Sequence, residues 1–551
     1  MNLQLETQSG FLGFGSGNLA GEAYHLQNML ATQFGLAPYL KNATEEDSAA
    51  VSGMTTVKWF AEYSGTPYAV DANGKVLTRA GGGFLWTQAR ATAGNSIGNG
   101  MVVDQTGRLL VARDRYIQKY NGAWDDTWKD LGSSVTAEKG MDTYLDWVVI
   151  PHGNKVAVLN TTDDSLNTSA FTFPTGCSCI IAKSSRTGIL LGVNFGSRSF
   201  VALWDAQATR AIADWIWFDS PLKSICRAGD NEWIVTTARK IVLTNGYVTK
   251  DLPTLSDPVL GAVMHSPSAG GTWTDGSKFY LNHTDVSANY GRRRSGTYVL
   301  DLDSSLWTFI TPSDGSTLSV SMGGIWQDST GRLFTSHTNG ATSLSHVCQI
   351  SNALPTSAWL ITAPFGKGGT KKVAEGVKVE LQSNPINQIY GTFSYVISAK
   401  VYDFSRPLWT VATQNGLASG LDKINVDGTS GSANNAAVGD EVTILSGSNG
   451  GYIRHITAIA DQNTSSETWT LDSALPNLTA TGTQILVQPF KLASSFTVTS
   501  QTAIPKDGFY FDVKDRIKGK QFMVKVVITD LSVAYLAIPS VSFIYNDLGV
   551  I

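Results

Sequence analysis

The sequence is poor in charged side chains. Lysine, arginine, aspartate and glutamate make up 16% of its 551 residues, whereas an average globular domain has roughly 25%. Surface helices usually carry many glutamates and lysines, and few stretches of this chain could supply them. Glycine is abundant, with 54 residues, and it suits tight turns between short strands. The composition therefore predicts an all-β fold.

Cysteine is scarce, and long apolar runs are missing. The four cysteines are too few for a disulfide framework in a reducing compartment. No apolar run reaches the roughly 18 residues that span a bilayer, and the first residues lack the features of a secretory signal. We therefore expect a protein made in a cytoplasm, without membrane insertion. The six Asn-x-Ser/Thr sequons, including that of Asn282, are then by-products of composition.

The charge balance also bears on partners. A net charge of −4 gives no reason to expect sequence-specific nucleic-acid binding, because phosphate contacts need clustered lysine and arginine. A weakly acidic surface would still let DNA pass along it. The length exceeds that of one ordinary core, so about two or three domains are expected.

A weak hairpin repeat runs through the first two thirds of the chain. The pattern D-x-x-G-[KR]-[VL]-[LF] occurs at 71–77, 104–110 and 328–334. Aspartate favours the entry to a turn, glycine takes a positive φ and the apolar residues begin the return strand. Many repeat units close on a tryptophan, namely Trp86, Trp128, Trp215 with Trp217, Trp307 and Trp359. A recurrence of roughly 35–50 residues predicts about seven propeller blades, within a range of roughly six to eight.

The rest of the chain divides by its strand pattern. Longer strands with period-two alternation indicate a sandwich, and glycine-punctuated short strands inside it indicate a small barrel. The predicted plan is an N-terminal arm (1–54), a β-propeller (55–365), a linker (366–376), a C-terminal β-sandwich (377–421 and 488–551) and an inserted small β-barrel (422–487). Within the arm we expect a short helix at 23–30 and a solvated loop or helix start at 45–47. The arm suits a contact with a neighbouring subunit, and a disordered tail is an equal alternative.

Candidate catalytic residues are few and scattered. The segment 266–273 resembles the Asp-box of sialidases, S-x-D-x-G-x-T-W, with Ser268 in place of the aspartate. Glycoside hydrolysis would need converging acids, and a sialidase would need arginines as well. The available groups are Asp125 with Asp126, Asp163 with Asp164, Asp301 with Asp303, and Arg292, Arg293 and Arg294. Each group also fits a solvated loop, so no catalytic residue is assigned.

Metal and cofactor sites are not expected either. Cys177 with Cys179 and His346 with Cys348 could share strand faces, but neither pair has the two-residue separation common in structural zinc sites. The seven histidines show no H-E-x-x-H pattern, and no G-x-S-x-G or Walker motif occurs. We predict a non-enzymatic protein with no catalytic, cofactor-binding or metal-binding residues and no cofactor.

The order of motifs resembles that of certain phage virion proteins. The three D-x-x-G hairpins lead into strand segments at 512–520, 522–528 and 541–545. This looks like proteins in which a degenerate propeller precedes a β-sandwich, including the nozzle, or hub, proteins of short-tailed bacteriophages. The segment from Gly439 to Leu471 is similar to small barrels that decorate such proteins.

This resemblance implies a structural protein of the virion tail, made in the host cytoplasm. It further implies a homo-oligomeric ring, often a hexamer, at or near the DNA exit channel. The implied partners are other tail proteins such as an adaptor, fibre or spike, and DNA would pass through the ring. Two alternatives stay open: a receptor-binding or glycan-binding propeller protein, and a sialidase-like glycoside hydrolase.

Overall fold

The computed structural model contains no helix in the residues that it describes, and the all-β prediction is confirmed. These residues are 2–9, 13–14, 22–23, 25–27, 29–32, 35–38, 44–46, 51–79, 85–91, 98–113, 115–132, 140–207, 210–257, 261–262, 265–284, 295–310, 320–339, 344–350, 357–366, 370–383, 395–403, 410–429, 436–444, 448–449, 452–498, 508–513, 517–529 and 536–548. No helix among them is long and apolar enough to cross a membrane.

Short strands already occur in the first 46 residues. They are β1 (Asn2–Ser9), β2 (Gly13–Phe14), β3 (Glu22–Ala23), β4 (His25–Gln27), β5 (Met29–Thr32), β6 (Gly35–Pro38) and β7 (Thr44–Glu46). The helix expected at 23–30 is therefore wrong, and so is the loop or helix start expected at 45–47, since Glu45 and Glu46 lie in a strand. Local sequence misled here because long-range strand pairing overrides local helix preference.

Residues 57–350 contribute to seven antiparallel blades of four strands, which we call blades 1 to 7. Six of them are four-stranded sheets, and blade 6 is the four-stranded part of a six-stranded sheet that β2 and β3 extend. Blade 1 consists of β8 (Val57–Tyr63), β9 (Thr66–Asp71), β10 (Val76–Arg79) and β11 (Trp86–Arg90), and blade 2 of β12 (Gly98–Val103), β13 (Leu109–Arg113), β14 (Tyr116–Tyr120) and β15 (Trp124–Asp130). Blade 3 consists of β16 (Asp142–Tyr144), β17 (Trp147–His152), β18 (Lys155–Asn160) and β19 (Leu166–Thr172). Blade 4 consists of β20 (Cys177–Ser184), β21 (Ile189–Phe195), β22 (Arg198–Trp204) and β23 (Ile216–Phe218).

Blades 5 to 7 continue this order with one strand borrowed from the N-terminal region. Blade 5 consists of β24 (Leu222–Arg227), β25 (Trp233–Thr237), β26 (Ile241–Thr244) and β27 (Thr249–Leu252), and it is followed by a hairpin of β28 (Ser256–Asp257) and β29 (Gly261–Ala262). Blade 6 consists of β30 (Thr272–Thr274), β31 (Lys278–His283), β32 (Gly296–Asp301) and β33 (Trp307–Ile310). Blade 7 contains β34 (Val320–Gln327), β35 (Leu333–Asn339) and β36 (Ser345–Ile350). Strand β7 completes blade 7 as its outermost strand.

The blades form a closed, propeller-like ring. The first strand of each blade contacts the first strand of the next blade, and β34 of blade 7 contacts β8 of blade 1. These first strands therefore surround a common axis. Four of the tryptophans that close repeat units, Trp86, Trp128, Trp217 and Trp307, lie in the fourth strand of their blades. The predicted propeller-like architecture is confirmed.

The D-x-x-G motif forms the hairpin turns that its residues predict. The carboxylate of Asp328 accepts hydrogen bonds from the backbone N–H groups of Thr330 and Arg332, at 3.0 and 2.8 Å, and Asp104 does the same in its own turn. Gly331 takes a φ of +84°. The copies at Asp104 and Asp328 join the first and second strands of a blade, whereas the copy at Asp71 joins the second and third. The motif thus specifies a turn and not a fixed place in the blade.

The remaining strands form three further sheets. They are β37 (Ser357–Ile361), β38 (Lys372–Ser383), β39 (Tyr395–Asp403), β40 (Thr410–Thr413), β41 (Lys423–Val426), β42 (Glu441–Ile444), β43 (Ile453–Ala460), β44 (Glu467–Leu471), β45 (Gln484–Gln488), β46 (Phe490–Val498), β47 (Phe509–Asp512), β48 (Lys518–Gly519), β49 (Phe522–Thr529) and β50 (Leu536–Asp547). The five-stranded sheet has the order β4-β37-β49-β39-β46, and the six-stranded sheet has the order β40-β45-β42-β43-β44-β41. A seven-stranded sheet has the path β47-β38-β50-β6-β5, with β1 beside β50 and β48 beside β38.

The N-terminal strands join these parts together. Strand β1 pairs along its full length with β50, β4 pairs with β37, β2 adds to blade 6 and β7 adds to blade 7. Strand β37, which carries Trp359, pairs with β49 and not with a blade. A continuous apolar core runs from blades 5 and 6 into the seven- and five-stranded sheets.

Candidate functional site

The first strands of the blades enclose a cavity on the ring axis. Its volume is about 650 Å³, and all seven blades supply lining residues. Residues 227–230 and 274–276 line it and lead from the first to the second strand of blades 5 and 6. The mouth therefore lies on the face that carries these turns. Small-molecule sites commonly measure about 300–1,000 Å³, so this cavity has the size of a ligand site.

Trp59 of β8 extends across the ring axis beside this cavity. Its ring lies so close to Gly140, before blade 3, and Gly270, before blade 6, that an added Cβ would come within 2.6 and 3.0 Å of it. Lys183 of blade 4 places its Nζ 5.9 Å from the ring centroid. Trp59 is 6% exposed. At Gly140 the indole ring occupies the space that a side chain would need, and at Gly270 the carbonyl oxygen of Lys58 does so together with the indole ring.

Two indole N–H groups at this cavity have no partner in the described part of the chain. The Nε1 atoms of Trp59 and Trp273 are buried, and their N–H groups donate a hydrogen bond to no acceptor among the described residues. Both residues line the axial cavity. A buried donor without an acceptor is costly, since it has lost its water and gained nothing in return.

The rim of the cavity carries charged side chains of both signs. Asp142 of blade 3 accepts hydrogen bonds from the backbone N–H and the hydroxyl of Ser184, at 2.8 and 3.0 Å. Arg227 donates to Asp230 at 3.1 Å, and both side chains are at least half exposed. These contacts hold the rim groups in place while leaving lone pairs and N–H groups available.

Two other side chains at the cavity, Cys226 and Asp275, are not suited to act as a nucleophile or a general base. Burial raises the pKa of the Cys226 thiol to about 12, so it is protonated at neutral pH and a poor nucleophile. Although burial raises the pKa of Asp275, hydrogen bonds from Lys278 and Ser277 hold it below its usual value. This carboxylate is engaged in its own turn and serves to shape the mouth.

Polar side chains also connect neighbouring blades near the axis. Asn282 of blade 6 donates its amide hydrogens to the backbone carbonyls of Gly323 and Gly324 in blade 7, at 3.0 and 3.1 Å. Ser224 of blade 5 bonds Thr272 of blade 6 at 2.7 Å. Asn282 is 0% exposed, so its side chain packs in the interior. This burial agrees with the interpretation of its sequon as a by-product of composition.

The acids considered from the sequence do not meet. Asp126 contacts Arg90 and Gln118 on the outer side of blades 1 and 2, Asp164 pairs with Arg108 at 2.7 Å, and Asp301 accepts from the backbone within its own turn. The complete pairs are Asp125 with Asp126 in blade 2, Asp163 with Asp164 in blade 3 and Asp301 with Asp303 in blade 6. None of them lines the axial cavity. Residues 292–294, the arginine cluster, lie outside the described residues.

The cysteine and histidine residues considered for zinc are also separated. Cys177 and Cys179 lie in blade 4, whereas His346 and Cys348 lie in blade 7. No cluster of three or more potential metal ligands is present in the described part of the chain. The degenerate Asp-box segment leads into β30, and its Gly270 packs against the backbone of β8.

A buried ionic cluster joins the six-stranded sheet to the five-stranded sheet. Glu441 of β42 is fully buried and contacts the ammonium groups of Lys400 and Lys525, the latter at 2.7 Å. Lys525 also donates to Gln488 at 2.8 Å and lies 4.4 Å from the ring centroid of Trp359. Sequence reasoning missed this cluster. Its signal was a lone lysine within the otherwise apolar strand β49, which is buried on both faces.

A second cavity lies on the outer side of blades 3 and 4. Its volume is about 640 Å³, and Phe171, Arg210, Asp214, Trp215 and Trp217 are among its lining residues. Trp215 stacks on Phe200 with a centroid distance of 4.4 Å, whereas Trp217 is 43% exposed. This groove offers an aromatic surface remote from the axis.

No protein-family model matches the chain, and no curated protein matches it. Among solved structures, the computationally designed Ika8 protein is 10% identical over 56% of this chain and 100% of its own, with a TM-score of 0.39. YCF48 bound to D1 peptide is 11% identical over 55% and 94%, with a TM-score of 0.39. Virginiamycin B lyase from Staphylococcus aureus is 12% identical over 57% and 99%, with a TM-score of 0.41. Similarity at this level carries no inference about activity.

Proposed function

We propose that this chain is a non-enzymatic structural subunit of a bacteriophage tail, built as a nozzle or hub ring component of the virion. The observation that carries the proposal is the distribution of the N-terminal strands. They pair with blades 6 and 7 and with the seven- and five-stranded C-terminal sheets, so that one chain segment connects these four parts to each other. A subunit that carries load during DNA ejection needs such fixed relations between its parts.

The proposal includes the finer architecture of the C-terminal half. The seven- and five-stranded sheets act as the two layers of a β-sandwich, supported by the apolar core that they share, with Val377, Val526 and Phe543 among its members. The six-stranded sheet acts as an inserted barrel. A backbone bridge between Gln414 and Val426 links the ends of its first and last strands, which supports closure.

In the proposed assembly, copies of this chain form a homo-oligomeric ring that binds an adaptor, fibre or spike protein. DNA would pass through the ring of subunits and not along the axis of an individual propeller, because the Trp59 side chain lies across that axis. The exposed apolar residues Leu417, Leu421 and Leu478 in the loops of the six-stranded sheet offer one patch for a neighbouring subunit.

The test is the assembly state of the purified full-length protein. Mass photometry and negative-stain electron microscopy across a range of concentrations should show closed rings, and portal, adaptor or fibre proteins from the same virus should bind them. A protein that stays monomeric at every concentration and binds none of these partners contradicts the proposal. Turnover of a host polysaccharide that disappears when one acidic pair is neutralised would instead establish the hydrolase alternative.

A further inference from the structure

We propose that the edge strand β46 pairs with β46 of a second copy of this chain, so that two five-stranded sheets join into one continuous sheet across a twofold axis. This contact goes beyond the tail-subunit proposal and does not rest on it. Three properties of β46 support it: one side of the strand is open, its sequence carries no charge, and its side chains are complementary to themselves.

One side of β46 has no strand beside it in the described part of the chain. This strand is last in the order β4-β37-β49-β39-β46, and β39 is its only hydrogen-bonded neighbour there. The register shift of the pair lies before Ser494, and residues 494–498 pair with residues 395–399 without interruption. Alternate residues of such an edge direct their backbone N–H and C=O groups away from the sheet, where an added strand can bind them.

The apolar side chains of β46 are incompletely covered. The ring centroid of Phe496 lies 5.3 Å from that of Phe509 and 5.1 Å from that of Phe511, so this ring packs against the seven-stranded sheet. Phe496 nevertheless stays 39% exposed, and Leu492 is 44% exposed. A strand added beside β46 would bury part of this surface, which the hydrophobic effect favours.

Other edges of this protein have features that discourage strand pairing. The outer strand β15 of blade 2 has four charged residues in seven, and β27 of blade 5 has two in four. The outer strand β19 of blade 3 is uncharged, but a register shift disrupts its pairing with β18, and β23 of blade 4 has only three residues. Charges, bulges and short length are the usual protections of a sheet edge.

The open part of β46 lacks these protections. Residues 492–504 include no charged residue and no proline, and the five residues 494–498 form an uninterrupted edge. An edge of this kind would recruit strands without limit unless a defined partner occupied it. Twofold pairing of β46 with its own copy occupies both open edges at once, so the assembly closes at two chains.

The side chains of β46 indicate that the added strand is a second β46. In an antiparallel pair centred on Phe496, the two Phe496 rings lie opposite each other, and Ser495 lies opposite Thr497 of the second copy. Aromatic pairs and serine–threonine pairs both stabilise neighbouring antiparallel strands. No charged groups meet within residues 494–498 of the two strands, so the strand is complementary to itself in charge as well.

The experiment introduces charges at two exposed positions of β46 that would face each other, Ser495 and Thr497. In the full-length protein, Ser495→Lys with Thr497→Lys sets lysines opposite lysines, whereas Ser495→Lys with Thr497→Glu sets lysines opposite glutamates. The first variant should weaken dimerisation at least about tenfold, and the second should dimerise about as well as wild type. Sedimentation velocity across a range of concentrations measures the dimer, and circular dichroism checks that both variants fold.

Hydrogen exchange gives a second readout. The amides of residues 494–498 should exchange more slowly at concentrations where wild type dimerises, and the variant with two lysines should lose this protection. As a control, Ser169→Lys with Thr172→Lys, at exposed positions of β19, should leave the dimer unchanged.

Three results would overturn the proposal: a wild type that is monomeric at every concentration, two β46 variants that behave alike, or protection of residues 494–498 that requires a different protein. The substituted positions lie outside the exposed leucine patch of the six-stranded sheet. Ring assembly and the β46 contact can therefore fail independently.

Discussion

The buried ionic cluster around Glu441 allows a quantitative prediction about stability. Replacing Glu441 by glutamine removes the carboxylate that both Lys400 and Lys525 contact, and these lysines are 5% and 2% exposed. Removing one partner of a buried ion pair typically costs about 3–5 kcal/mol, because it leaves an uncompensated buried charge. At about 2–4 °C per kcal/mol for a domain of this size, we expect Tm to fall by roughly 6–20 °C.

The pH dependence gives the prediction a second, independent readout. Although burial raises the pKa of Glu441, the ammonium groups of Lys400 and Lys525 hold it well below its ordinary value of 4.5. A carboxylate whose pKa is depressed in the folded protein stabilises the fold at pH values above the pKa that it has in the unfolded chain. This contribution declines as the pH falls below that value. The stability difference between wild type and Glu441→Gln should therefore shrink by about 2 kcal/mol from pH 7 to pH 3.

Thermal unfolding by circular dichroism, repeated across this pH range, measures both effects. Glu380→Gln is the matched control, because that carboxylate is 44% exposed and pairs with Lys378 at 3.4 Å, and it should change the free energy of unfolding by less than about 1 kcal/mol. Replacing Glu441, Lys400 and Lys525 together by apolar residues should restore most of the lost stability. A Glu441→Gln variant that unfolds within about 1 °C of wild type at every pH would refute the reasoning.

Three further predictions concern a turn, a buried histidine and the N-terminal strand. Asp328→Ala should lower the free energy of unfolding by about 1–3 kcal/mol, because Thr330 and Arg332 lose their acceptor, whereas exposed Asp303→Ala should change it by less than about 0.5 kcal/mol in the same melt. Burial lowers the pKa of His265 to about 4, so the free energy of unfolding of the wild type should fall by about 1–3 kcal/mol as the pH falls from 6.5 towards 4. The His265→Asn variant should show a weaker dependence of this free energy on pH. Equal pH dependence in both proteins would contradict this prediction. Deleting residues 1–10 removes β1 and leaves residues 540–547 of β50 as an open edge. Tm should therefore fall and light scattering should show self-association, whereas an unchanged melt would argue against the pairing.

Much of the fold follows from local sequence chemistry. The D-x-x-G motif predicts a turn because its aspartate binds backbone N–H groups two and four residues later and its glycine takes a positive φ. Period-two alternation predicts strands such as β38, β49 and β50 because successive side chains point to opposite faces. Both signals depend on a few neighbouring residues, so they can be read without knowing the partners.

Only the tertiary structure decided which distant residues meet. The sequence placed a helix at 23–30, but the strands found there are held by partners hundreds of residues away in the chain, such as Ile361 opposite His25. The same holds for Glu441 with Lys525 and for Trp59 beside Gly140 and Gly270. The low charge and frequent glycines determined that this protein is all-β. The closure of its ring, its buried ionic cluster and its axial cavity depend on long-range packing, whose free energy no local pattern contains.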